Sequence, residues 1–163
     1  MPLYIHLTIH FVIALLAGYL IGSFFKEKRR GIIFGILGGF FIDLDHVLEY
    51  FFVFGPHFNL LYFFESRQFL ISEKIILVFH AWEYVPLFLL LAYLLRKWKN
   101  VKVAFITLAF AGSLHLVSDV FINGYYFRYY SLIYRYQQEF LAPNLLPSAI
   151  YQKNLDYKEE LGI

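Results

Sequence analysis

The sequence contains no cysteine, which excludes disulfides, thiolate metal sites and cysteine nucleophiles. Charge is scarce as well. Only 16% of its 163 residues are Asp, Glu, Lys or Arg, against roughly 25% in soluble globular domains. The formal net charge of +2 is too small and too scattered for a nucleic-acid footprint, so nucleic acid is not an expected partner. Methionine occurs once and tryptophan twice, whereas phenylalanine (20) and tyrosine (14) dominate the aromatic count. With 60% hydrophobic residues and a mean hydropathy of +0.59, the composition argues against a soluble monomer. It suits a lipid-facing surface with aromatic belts at the headgroup level.

Four long apolar runs, near residues 3–25, 31–54, 74–95 and 101–124, each approach the ~20 residues that cross a bilayer core. The expectation is an all-α, polytopic membrane protein: a four-helix transmembrane metal-binding domain over 1–124, with 125–163 as its interfacial and polar C-terminal tail. Met1 to Ile5 carry no Lys or Arg and His6 and His10 interrupt the first run, so that run does not read as a cleaved signal peptide. Lys26, Lys28, Arg29 and Arg30 follow the first run, and Arg96, Lys97, Lys99 and Lys102 lie beside the fourth. By the positive-inside rule both loops are cytoplasmic. A multi-pass protein of the cell membrane, plasma or inner, then has both termini and the 55–73 loop outside.

Gly18 and Gly22, then Gly31, Gly35 and Gly39, recur at i, i+4 and allow close helix packing. Pro86, inside the third run, is expected to kink its helix. From Tyr125 to Tyr136 the chain mixes tyrosines with Arg128 and Arg135 before Pro143, Asn144 and Pro147 break it, the pattern of a segment lying in the outer interface.

Ten ionisable residues fall inside the apolar runs: His6, His10, Asp43, Asp45, His46, Glu49, His80, Glu83, His115 and Asp119. Each intramembrane charge costs about 2.5–3.5 kcal/mol near a helix centre. At about 1.5 Å of rise per residue all ten lie roughly 5–17 Å from the outer ends of their helices, which is a single layer. Most pair at i, i+3 or i, i+4 and share a helix face. Asp43 and Asp45 do not, since about 200° separates them on an ideal helix; either the helix is distorted near Gly38 and Gly39 or one of the two lies behind the other. No Lys or Arg of the runs shares the layer of the five carboxylates, so protons or metal ions must neutralise them. Imidazole beside carboxylate is a ligand set for zinc, manganese, iron or nickel. At about four ligands per zinc, the set has room for two or more divalent ions. His57 has no such company, and Glu49, nearest the surface, is either a member or a solvated carboxylate.

The run Ile42 Asp43 Leu44 Asp45 His46 and the later His115 Leu116 Val117 Ser118 Asp119 resemble the motifs of the YdjM-like family of membrane-bound metal-dependent hydrolases. That family is grouped with zinc-dependent phospholipase C and P1-type nucleases. The likeness covers His6 to Asp119, although Ile42 stands where the family usually has Pro and the His80 to Glu83 stretch is poorer in His and Ser. It implies a multi-metal hydrolase of phosphoester bonds, zinc first among its metals. His6, His10, Asp43, Asp45, His46, His80, His115 and Asp119 would be ligands, Glu83 a ligand or general base, and Asp45 a further catalytic group. The shallow layer suits a phospholipid or lipid-linked phosphate of the outer leaflet, with Arg128 and Arg135 either receiving its phosphate or snorkelling at the interface. Membrane lipids are the surroundings, and a homo-oligomer is allowed. Two alternatives stand beside this reading: a di-iron or haem redox protein, and an ion or proton transporter, for which polar residues should extend through the whole membrane depth.

Overall fold

The computed structural model describes residues 3–163. Met1 and Pro2, used above for the first domain boundary and the signal-peptide argument, lie outside the described residues. The elements in chain order are α1 (Leu3–Phe24), α2 (Lys28–Gly39), a 3-10 turn (Phe41–Asp43), α3 (Leu44–Phe54), α4 (Leu60–Phe64), α5 (Arg67–Ser72), α6 (Tyr84–Leu94), α7 (Lys99–Asn123), a second 3-10 turn (Phe127–Tyr130), α8 (Leu132–Gln137), α9 (Ala142–Leu145) and α10 (Ser148–Glu160). Among the described residues no strand forms, and one isolated bridge pairs Lys74 with Leu141.

Among the described residues three helical stretches are long and apolar enough to cross a membrane: Ile5–Phe24, Lys28–Phe54 counted through its 3-10 turn, and Lys99–Asn123. The turn at Phe41–Asp43 is a distortion of the kind that the spacing of Asp43 and Asp45 allows as one of two alternatives. The third apolar run departs from expectation. Only Tyr84–Leu94 is helical there, and 11 residues reach about 16 Å where the hydrocarbon core is about 30 Å thick. Leu77, at φ +40°, interrupts any helix from Lys74 onward. Pro86 is the third residue of α6, in the first turn, where no intrahelical partner awaits an N–H; it starts the helix instead of kinking it.

The chain divides into two compact units. The first, Met1–Ile42 with Ala81–Gly124, holds α1, α2, α6 and α7. Its helices touch at the glycines. A Cβ on Gly35 would fall 2.5 Å from the Ala14 carbonyl oxygen and one on Gly39 2.9 Å from the Ala14 Cβ, while a Cβ on Gly18 would strike the Gly31 carbonyl. Buried Ala14, Ala17, Ala104 and Ala111 continue this thin seam. Glu27, in the turn after α1, pairs with Arg30 and, at 3.1 Å, with Lys99. Both basic loops therefore meet at one end of this unit.

The second unit, Asp43–His80 with Tyr125–Ile163, holds the shorter helices. Residues beyond Tyr125 form part of its framework: Ile75 N–H donates to the Phe140 carbonyl at 2.9 Å and Ala142 N–H to that of Glu73 at 2.8 Å. Ala142, Leu145 and Leu146 are buried, and Lys158 pairs with Glu73 at 2.6 Å. α10 has the polar, unburied character expected of the end of the tail.

Candidate metal sites

In the first unit, α1 and α7 bring His6, His10, His115 and Asp119 together at the end away from the basic loops. Sixteen residues separate Lys99 from His115 on α7, which is about 24 Å of helix. His10, His115 and Asp119 are buried, and each offers a ligand atom within 4.8 Å of the others. One Asp119 oxygen lies 3.2 Å from His10 Nε2 and 3.6 Å from His6 Nε2, and the other lies 3.2 Å from His115 Nε2. The i, i+4 spacing of His115 and Asp119 does what the sequence promised.

Two groups meet His115 Nδ1. Gly39, at the C-terminus of α2, has a carbonyl outside the ladder 3.0 Å away, and His10 Nδ1 lies 2.7 Å away. A carbonyl only accepts, so a proton placed on His115 Nδ1 serves Gly39 or His10, and we take that tautomer. His115 Nε2 then faces the Asp119 carboxylate, and lone pair against carboxylate oxygen is repulsive unless a proton or a metal ion lies between. Two imidazoles and a carboxylate suit zinc or non-haem iron.

The second unit gathers Asp43, His46 and His80, again with ligand atoms within 4.8 Å of one another. His80 is the pivot. Its Nδ1 is 2.9 Å from Asp45 Oδ2 and its Nε2 3.2 Å from Asp43 Oδ1, with His46 Nε2 3.9 Å from the same Asp43 oxygen. Carboxylates at both nitrogens are satisfied together only by a doubly protonated ring or by a metal in place of one proton. A metal-bound histidine usually gives its other N–H to a carboxylate, the relation His80 has to Asp45. The His46 and Asp43 side chains keep 33% and 17% of their surface exposed, so this group is open to entry.

Asp45 and Glu49 do work that the sequence reading did not foresee. The chain between α5 and α6 is irregular, and its backbone donors need partners. Glu49 accepts from the N–H groups of Ile76 and Leu77 at 2.9 and 3.0 Å, and Asp45 Oδ2 from those of Phe79 and His80 at 2.9 and 3.3 Å. Standing at i, i+4 on α3, the two carboxylates replace the ladder a helix would have supplied. Asp45 Oδ1 is buried without a hydrogen-bond partner. Arg135 is fully buried and its Nη2 donates to the carbonyls of Leu77 and His80 at 2.9 and 2.7 Å; it neither snorkels nor faces the surface. Arg128 is exposed beside the rings of Tyr126 and Tyr134. Glu83, half-buried, precedes α6, and no helix runs through His80 to give the two an i, i+3 face. His57 is exposed.

No protein-family model, curated protein or solved structure matches the chain. The likeness to the YdjM-like family therefore stands on the Asp43 to His46 and His115 to Asp119 motifs alone.

Proposed function

We propose that this chain is an integral membrane, metal-dependent hydrolase of phosphoester bonds, acting on a lipid or lipid-linked phosphate at the outer leaflet. The observation that carries the metal reading is the buried His10, His115 and Asp119 group, whose facing nitrogen and carboxylate atoms call for a cation. Asp43, His46 and His80 are the second ligand set, with Asp45 turned toward orienting His80. Bound divalent ions, zinc first and manganese or iron after it, would activate water and offset phosphoryl charge. Around them Asp119 faces the rings of His10 and His115, and the Gly39 carbonyl lies against His115 Nδ1. Glu83 is the general base, or a ligand, and Arg128 is the exposed cation available to a phosphate. The hydrolytic step itself rests on the family resemblance.

Elemental analysis of protein purified without chelator tests the reading, and about two metal ions per chain are expected. His115→Ala and Asp119→Ala should each lower metal content and abolish release of phosphate or phosphorylated headgroup from a phosphodiester substrate. Glu83→Gln should keep the metal and slow turnover about 10²-fold or more if Glu83 is the base. A metal-free wild-type protein, or full activity in both His115→Ala and Asp119→Ala, overturns the proposal. Two histidines with one carboxylate are also the facial set of non-haem iron oxygenases; iron as the isolated metal, with a visible absorption band, would favour that redox reading.

A further inference from the structure

From Tyr50 to Phe64 the sequence YFFVFGPHFNLLYFF contains no Asp, Glu, Lys or Arg. It covers the end of α3, a turn through Gly55 and the short α4. An outward loop in water would be expected to put polar groups on its surface. This one exposes Phe52, Phe58, Leu60, Leu61 and Phe64, each between 48% and 75%. Five large apolar side chains in one short stretch exceed the scattered singles normal on a soluble surface.

The backbone bears on this as well. In lipid an unpaired N–H is costly, and the donors of Gly55, Asn59, Leu61, Tyr62 and Phe63 have partners. Gly55 N–H donates to the Phe51 carbonyl at 2.9 Å, Phe63 to Asn59 at 3.1 Å and Glu65 to Leu61 at 2.9 Å. At the turn side chains contribute. Asn59 N–H donates to the hydroxyl of Tyr50, itself buried, at 2.9 Å, and the Asn59 side-chain oxygen accepts from Leu61 and Tyr62 at 3.0 and 3.2 Å. Pro56 has no N–H to satisfy. Apart from His57 and Asn59, both exposed, polar side chains resume at Glu65, which pairs with Arg67 at 2.6 Å, the guanidinium lying 4.2 Å over the Tyr62 ring.

We propose that residues 55–64 form a hairpin that dips into the bilayer, its apolar tip in the acyl region and the Glu65–Arg67 pair at the headgroup level. The stretch continues directly from the membrane-crossing Lys28–Phe54 segment, and its length suits an interfacial or re-entrant element better than a crossing one. The occupant of this surface is lipid, and the proposal is independent of any metal or hydrolytic reading.

The test places a tryptophan at the tip. In a Trp82→Phe, Trp98→Phe background, Leu61→Trp and, separately, Phe58→Trp are reconstituted into phosphatidylcholine and phosphatidylglycerol vesicles with and without brominated acyl chains. Both reporters should show blue-shifted emission, lose most of their fluorescence to brominated lipid and resist aqueous iodide. Red-shifted emission quenched by iodide and unchanged by bromine overturns the proposal, returning the segment to water. Blue-shifted emission untouched by either quencher, with photo-crosslinks from position 61 between two chains, also overturns it and assigns the surface to a second copy. If both tryptophan variants fail to fold, a Leu61→Cys variant labelled with an environment-sensitive fluorophore gives the same readings.

Discussion

The two units use the ionisable groups of their apolar runs differently. In the first, helix ladders serve most of the backbone, and His10, His115 and Asp119 face one another, with His115 also at the Gly39 carbonyl. In the second, the chain from Lys74 to His80 abandons the helix, and Asp45 and Glu49 accept its amides while Arg135 donates to its carbonyls. Identical residue types thus gather into a group that could hold a cation in one place and substitute for secondary structure in the other. A carboxylate in an apolar run is surplus only where the backbone around it is already paired. Two of the five carboxylates that the sequence assigned to protons or metals have backbone partners, and a guanidinium that the apolar runs did not contain lies in the same unit as those two.

The sharpest way to break the comparison is to attack what lets the first unit be wholly helical. Gly31→Leu would drive a side chain into the Gly18 and Gly22 backbone. Overpacking costs about 1–3 kcal/mol even where side chains can yield, and here backbone meets backbone. We expect no monodisperse folded protein by size-exclusion chromatography in detergent; recovery of wild-type yield would show that the seam can open. In the second unit Arg135→Met removes two charge-assisted hydrogen bonds to the Leu77 and His80 carbonyls, each contributing about 1.5–3 kcal/mol. The loss should appear as a lower unfolding midpoint and as faster amide exchange confined to Ile76 through His80. A midpoint equal to wild type would mean that the carboxylates alone suffice.

Matched substitutions sharpen the contrast further. Asp45→Asn keeps one acceptor and loses the charge, so about 1–3 kcal/mol of stability should go, with faster exchange at Phe79 and His80. Asp119→Asn should leave amide exchange unchanged and remove bound metal. If both variants behave alike, the division of roles is wrong. The smallest effect is expected at Glu27, whose partners Arg30 and Lys99 are ion-paired at an exposed loop. Exposed pairs of this kind contribute little, and Glu27→Gln should leave the unfolding midpoint where it was.

The sequence shows α1, the α2 to α3 segment and α7 through length, apolar composition and glycine spacing, because those signals act locally along one helix. It shows the His115 and Asp119 pair for the same reason. Lys74 to His80 could not be read this way, since an apolar run has the same hydropathy whether helical or extended. The β-branched Ile75 and Ile76 beside Leu77 and Val78 form a short continuous run that is ambiguous between strand and helix, and that ambiguity was the available signal. The sequence leaves Arg135 to a phosphate or to snorkelling because it carries no depth for a residue outside the runs. Its partners are carbonyls, which leave no mark in composition.

Arg135 also bears on the order in which the molecule can be assembled. It lies 58 residues after Leu77 and 55 after His80. At about 5–20 residues per second, ribosomes would make it roughly 3–12 s after Leu77. The α1 to α2 hairpin, by contrast, has all of its contacting glycines once Gly39 has been made. Local pairings close early and distant ones late, so the carbonyls of Leu77 and His80 wait through the synthesis of α6 and α7 for their donor. Until then the stretch that carries His80 is a nascent chain without the Arg135 bonds, the Leu77 carbonyl keeping only the His80 N–H at 3.1 Å, and a ribosome stalled before residue 135 should leave it protease-sensitive while α1 and α2 are already resistant.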